Sequence, residues 1–214
     1  MVVEIGSEIR IKNASKELNV WAQENLIIPN PQYRERERRG LWVGNTPKYL
    51  WLYRVDSSDL IVPTGVGKQV RQFLSERDQI SVQLADNDIL EYKGNIPLYD
   101  YQKTAVEAMR RTSCGILQSP CGSGKTQMGI ALAAVLKRKV LWVTHTQDLL
   151  TQSFARAEQY FPAETLGTIT DGKVRLGSHM TFATVQTLSK LDLTQYRDAW
   201  DVVIVDECHR LAGS

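Results

Sequence analysis

Cysteine is scarce in this chain. Only Cys114, Cys121 and Cys208 occur in 214 residues, an odd number that argues against a disulfide framework and for free thiols. No second Cys or His pair stands at zinc-ligand spacing from Cys208 and His209, so a zinc site lacks its ligands. No apolar run approaches the roughly 20 residues needed to span a membrane. The start, Met1-Val2-Val3-Glu4, lacks a basic segment followed by an apolar one. These absences lead us to expect a cytoplasmic chain with no membrane partner. An excess of one charge is missing too: 26 Lys and Arg face 24 Asp and Glu, so any nucleic-acid surface must come from local placement of charge. The composition is that of an ordinary globular protein, long enough for one large domain or two small ones.

The informative feature is Ser119-Pro120-Cys121-Gly122-Ser123-Gly124-Lys125-Thr126. It lies between an apolar run, Cys114 to Leu117, and a helical pattern, Gln127 to Leu136. That is the strand-loop-helix setting of a phosphate-binding loop, although the strict pattern has Gly where Ser119 stands. Gly122 and Gly124 free the backbone so that N–H groups can converge on phosphate oxygens beside a helix N-terminus. Lys125 reaches the β- and γ-phosphates, and Thr126 offers a hydroxyl to Mg²⁺. Val202 to Val205 reads as a buried strand that delivers Asp206 to the same ion, with Glu207 beside it. A glycine-rich turn with a surface lysine is the bland alternative, and it leaves that carboxylate pair unexplained.

Asn95-Ile96-Pro97 marks a junction, since proline disfavours helix before it and Tyr92-Lys93-Gly94 breaks structure. It divides the chain into an N-terminal accessory α+β region, 1–94, and a domain over 95–214. In the second part the pattern predicts helices at 100–111, 126–136, 147–160 and 186–191. Strands are predicted at 115–118, 140–144, 166–170, 180–183 and 202–205. Alternating strands and helices, with strands apolar on both faces, imply a doubly wound, mostly parallel α/β sheet. Upstream, strand-like runs lie at 8–12, 49–55, 60–62 and 80–84, and helical patterns at 15–24 and 67–76. Gly65-Val66-Gly67-Lys68 lacks a Ser or Thr after its lysine and reads as a turn into a helix. Trp21, Trp42, Trp51, Tyr33, Tyr49 and Tyr53 accompany the run Arg34-Glu35-Arg36-Glu37-Arg38-Arg39. Two readings stay open: a stacking and phosphate-binding surface, or core aromatics beside a solvated charged face.

Taken in order, Leu98-Tyr99-Asp100-Tyr101-Gln102, the phosphate loop, Thr144 to Gln152, Thr184 to Leu188 and Asp206-Glu207-Cys208-His209 resemble the motif series of superfamily 2 helicases and translocases. The resemblance covers residues 96–214. It is strongest to the branch of type III restriction-enzyme motors, phage helicases and repair or transcription helicases of DEAD/DEAH type, and it implies a RecA-like P-loop domain.

The resemblance implies that Gln102 reads adenine, favouring ATP, because its amide both donates and accepts. Tyr99 stands where the family often has an arginine. Ser119 to Thr126 then bind the nucleotide, with Thr126 and Asp206 as the Mg²⁺ ligands. Lys125, Asp206 and Glu207 act in hydrolysis, Glu207 polarising the attacking water, and His209 couples the nucleotide site to neighbouring motifs. Thr146, Gln147, Gly172 and Thr184 contact a nucleic-acid backbone, DNA in preference to RNA; for the threonines, helix capping is the alternative. Cys208 replaces the commoner alanine, a mild change to another small residue.

The same resemblance implies a second RecA-like lobe beyond Ser214, whose arginine fingers are worth about 10³ to 10⁵ in turnover. The chain is therefore expected to bind ATP weakly and hydrolyse it poorly by itself. Bacterial or phage-infected cells are the expected setting. Two other functions remain: the motor of a restriction or phage-defence complex that translocates on duplex DNA without unwinding, and a nucleic-acid-binding module with a regulatory nucleotide fold.

Overall fold

The computed structural model describes residues 1–6, 8–82, 89–92, 94–112, 114–170, 172–196 and 199–210. Two units result, Met1–Ala85 and Asp86–Gly213. The junction at Asn95 read from the sequence lies inside the second unit, and the tail of the strand expected over 80–84 lies outside the described residues.

In the first unit, β1 (Val2–Ile5), β2 (Glu8–Lys12), α1 (Lys16–Asn25), β3 (Ile27–Pro29), α2 (Pro31–Arg38), β4 (Tyr49–Trp51), β5 (Arg54–Asp56), β6 (Asp59–Pro63), α3 (Gly67–Val70) and β7 (Gln79–Val82) follow in order. A five-stranded sheet has the order β5-β6-β2-β1-β7, and β3 pairs with β4 in a separate ribbon. Alternation decides the faces. Ile9 and Ile11 of β2 are buried with Val3, Leu60 and Val62 against Leu18 and Ala22 of α1. Between them Arg10 points outward to Asp56 and Asp59. Ser15 starts α1 by accepting from the Leu18 N–H at 3.2 Å. The charged run at 34–39 is mostly helix: Asn30 caps α2 through the Gln32 N–H at 3.0 Å, Pro31 opens it, and Glu35 pairs with Arg39.

The second unit contains α4 (Asp100–Arg110), α5 (Lys125–Leu136), β8 (Val140–Thr144), α6 (Gln147–Glu158), β9 (Leu166–Thr170), β10 (Lys173–Arg175), β11 (Met180–Thr184), α7 (Val185–Leu188) and β12 (Val202–Val205). Its sheet runs β10-β9-β11-β8-β12, with only the β9–β10 pair antiparallel. Every residue of β8 and β11 is buried, as strands covered on both faces require. Val140 and Trp142 pack with Ile130 and Ala133 of α5 and Leu150 and Ala157 of α6. Leu141 and Val143 face the other side, with Ile169, Ala183 and Leu188. This is the doubly wound α/β architecture the alternation implies. No helix among the described residues is long and apolar enough to cross a membrane.

The strand expected over 115–118 does not form. Residues 115–118 belong to none of the sheets, and Ile116 is 84% exposed. An apolar run becomes a strand only where a neighbour takes up its N–H and C=O groups, and among the described residues this segment has none. For a related reason β12 is half-buried and not buried: it is the sheet's edge strand, and Val203 is exposed.

Helix α5 lies close to β8 at Gly129, where a Cβ would fall 2.6 Å from the Trp142 ring. Gly129→Val is expected to force these layers apart at a cost of about 1–3 kcal/mol. Thermal unfolding checks this, with a Tm lower by several degrees.

Candidate nucleotide-binding site

The phosphate loop ends where α5 begins, and its backbone is set by two glycines. Gly122 and Gly124 have φ of 76° and 79°, the left-handed region that favours glycine. No side chain caps α5 at Gly124, so the first N–H groups of a 12-residue helix are left for an anion. The Ser123 hydroxyl oxygen is buried in the same loop with no partner among the described residues. The Lys125 ammonium lies 3.3 Å from the Ser119 and Pro120 carbonyls and 3.9 Å from Glu207.

Across the cleft, β12 delivers Asp206 and Glu207. Burial, then the charge of Glu207, pushes the Asp206 carboxyl up from its ordinary range. The Glu207 N–H, the Lys125 charge and the Thr126 hydroxyl oppose that rise. Thr126 and Asp206, the two residues expected to hold Mg²⁺, line the same cleft. Glu207 has a φ of 52°, a conformation uncommon outside glycine and recurrent at functional sites. His209 Nδ1 lies 3.3 Å from its carboxylate. A hydroxyl and carboxylates are hard oxygen donors that fit Mg²⁺, which takes one or two carboxylates and completes its shell with water and phosphate.

Of the predicted site residues, Gln102, Cys121, Gly122, Gly124, Lys125, Thr126, Asp206 and Glu207 line a cleft of about 660 Å³, whereas Ser119, Pro120, Ser123 and His209 do not; the volume is within the usual range for a small-molecule site. Gln102 is buried beside the loop. Its Nε2 donates to the Ser123 carbonyl at 2.9 Å and its Oε1 accepts from the Tyr99 N–H at 2.9 Å, which braces α4 against the loop. One amide hydrogen and one lone pair remain. Further residues, to which the motifs assign no role in binding, line the cleft as well. Tyr99 and Tyr101 stack with centroids 5.9 Å apart, and Tyr101 donates to the Ser123 carbonyl at 3.0 Å. Gln152, Arg156 and Tyr160 also line the cleft. Gln152 and Arg156, four apart, share a face of α6, and Tyr160 follows just past its end.

The remaining candidates lie at strand ends. Parallel pairing sets the C-terminal ends of β9, β11, β8 and β12 in one row. Gly172, Thr146 and Asp206 follow these ends and Thr184 is the last residue of β11, at the edge where ligands bind open α/β sheets. Thr146 caps α6 by accepting from Leu149 at 3.3 Å, and Thr184 caps α7 by accepting from Thr187 at 3.3 Å. Both hydroxyls thus make helix-cap contacts in this structure. Gln147 accepts from Thr170 at 3.2 Å, and Gly172 has a φ of 73°. Cys114, Cys121 and Cys208 are exposed free thiols.

Asp206→Asn should have two opposite effects. A carboxyl whose folded pKa is raised contributes stability below its unfolded pKa and loses it as pH rises through the folded value. At pH 7 the amide is therefore expected to leave the ligand-free chain at least as stable as wild type. The same change is expected to remove the Mg²⁺-dependent part of nucleotide affinity. Melting curves and nucleotide titrations at pH 5 and 7 check both.

Residues 95–214 match the family described as "Type III restriction enzyme, res subunit". The chain is 35% identical over 96 residues to the DNA 3'-5' translocase XPB2 of Sulfurisphaera tokodaii, covering 44% of this chain and 22% of that protein. Over 110 residues it is 28% identical to a protein of Acanthamoeba polyphaga mimivirus that carries the name of an ATP-dependent RNA helicase, covering 50% of this chain and 21% of the relative. The chain thus spans about a fifth of these relatives' length. The UvsW helicase from bacteriophage T4 superposes with a TM-score of 0.65 at 20% identity, over 98% of this chain and 83% of that structure. That likeness shows the RecA-like α/β fold.

Proposed function

Because the chain belongs to the type III restriction enzyme res-subunit family of superfamily 2 helicases, we propose that residues 95–214 are the ATP-binding lobe of a helicase or translocase acting on DNA. The observation that carries this reading is the single cleft that Lys125, Thr126, Asp206 and Glu207 line at the start of α5. Lys125 and the first N–H groups of α5 hold phosphate oxygens, and Thr126 and Asp206 hold Mg²⁺. The metal supplies charge neutralisation on the phosphates. Glu207 orients the attacking water, and the remaining valences of Gln102 meet the adenine edge. A second lobe completes the site in the working motor.

DNA is favoured because XPB2 is named as a DNA translocase. A second reading, supported by the family's description, is a restriction-type motor that translocates on duplex DNA without separating strands.

The test is binding of labelled single- and double-stranded DNA and RNA at about 50 mM salt, repeated at about 200 mM. DNA binding that weakens steeply with salt is expected. Failure to bind any nucleic acid overturns the reading. Brisk nucleic-acid-stimulated ATP hydrolysis by the chain alone contradicts the role given to a second lobe.

A further inference from the structure

In the first unit, outside the residues that match the family, exposed aromatic rings and basic side chains lie on adjoining segments: α2, the loop after it and β4. Trp42 is 84% exposed, Trp51 65% and Tyr49 46%, whereas tryptophan is on average a highly buried residue. Residues 31–54 carry six Lys and Arg against two Glu.

The local fold explains the grouping. Tyr49 and Trp51 are two apart on β4 and so face the same side of the β3–β4 ribbon. The Tyr53 ring centroid is 6.2 Å from that of Trp51. Asn30, the cap of α2, ties the helix start to the approach of β4 by donating to the Pro47 carbonyl at 2.8 Å and, from its backbone, to the Lys48 carbonyl at 3.0 Å. Trp42 lies on the connecting loop over Gly44, where a Cβ would come within 3.0 Å of its ring. Its carbonyl faces Arg36 of α2 at 3.5 Å. Some cations are engaged: Arg39 with Glu35, and Arg54 with Glu8. Among the described residues no carboxylate pairs with Arg34, Arg38 or Lys48.

We propose that this surface is a binding site for a single nucleic-acid strand. Bases stack on Trp51, Tyr49 and Trp42, and Arg34 and Arg38 neutralise phosphates. Alternate residues of a strand are about 6.7 Å apart. A ring inserted between neighbouring bases opens their spacing to twice the stacked value of about 3.4 Å, or about 6.8 Å. The ribbon thus offers rings at the interval an interleaved strand requires. The excess of unpaired cations disfavours a second copy of this chain, since an isologous contact would set like charges together. The inference deepens the reading of the chain as part of a nucleic-acid motor and rests on it.

The experiment titrates labelled oligothymidine of about 20 nucleotides with the whole chain and its variants by anisotropy. Trp42→Ala and Trp51→Ala are each expected to weaken binding roughly 10- to 100-fold. Trp51→Phe is expected to stay within a few-fold of wild type. Arg34→Ala with Arg38→Ala is expected to flatten the dependence of log affinity on log salt by about 1 to 1.5, at roughly 0.7 per phosphate contact. Mg-ATP affinity should be unchanged throughout. Wild-type affinity in the double tryptophan variant overturns the proposal, as does a wild-type dimer that this variant converts to monomer. If the tryptophan variants unfold, an unchanged salt slope in the double arginine variant overturns it instead. A wild-type chain that binds Mg-ATP but no nucleic acid refutes the motor reading as well, so the two failures are distinguishable.

Discussion

Lys125→Ala is expected to weaken Mg-ATP binding by about 10- to 100-fold or more while leaving the fold intact. The ammonium is the cation placed between the loop carbonyls and Glu207. Hydrogen bonds to charged groups contribute about 1.5–3 kcal/mol each, and every 1.4 kcal/mol is about tenfold in affinity. Its two bonds to loop carbonyls are long at 3.3 Å, so removing them should change the melting temperature little. Calorimetric titration measures the first effect and thermal denaturation the second. Nucleic-acid affinity without nucleotide is expected to survive the substitution. If nucleotide binding also survives unchanged, the phosphate role of Lys125 is wrong.

Gly124→Val is expected to disable the loop by a different route. A Cβ there would lie 2.5 Å from Gln102 Nε2, and the φ of 79° is one that β-branched residues avoid. The loop must then abandon the left-handed turn that presents its N–H groups, or Gln102 must release the Ser123 carbonyl. Either rearrangement undoes the preorganised site, so nucleotide affinity should fall at least tenfold, with some loss of stability as well. Gln102→Ala in the same background separates the causes. If the clash dominates, part of the affinity returns; if the backbone conformation dominates, none does.

Legibility in the sequence followed the source of each element's stability. The strands β8, β9 and β11 and the helices α5 and α6 carry strong apolar patterns, and they form where those patterns place them. Helix α2 has no buried residue. Its cap, its first proline and its ion pair make it helical, so a search for apolar periodicity reads it as a charge run. The run expected over 49–55 divides because β4 pairs with β3 while β5 pairs with β6, a choice of partners that no local pattern encodes. The helix expected over 67–76 ends its α-helical part at Val70 and tightens to a 3-10 turn at Arg71–Phe73. The run over 115–118 shows the converse, with apolar residues present and no pairing neighbour among the described residues.

The candidate site was more legible than the fold around it. Gly122, Gly124, Lys125, Thr126, Asp206 and Glu207 come from two segments, and they line one cleft. Gln102 is there too, but as a brace whose amide is partly committed to Tyr99 and Ser123. Arg156 carries no signal of its own, because a polar face on α6 looks the same whether it meets solvent or a ligand, and Tyr160 lies just past the end of that helix. For Thr146 and Thr184 the sequence left two roles open, and their hydroxyl contacts in this structure are those of helix caps.

The most direct measurement is a calorimetric titration of ATP into the wild-type chain, with Mg²⁺ present and with Mg²⁺ removed by a chelator. Saturable binding of one ATP per chain is expected, clearly weaker without the metal, because Thr126 and Asp206 can then no longer hold the phosphates through it. Absence of saturable binding, or binding indifferent to Mg²⁺, would contradict a nucleotide site built from the loop and the carboxylates of β12.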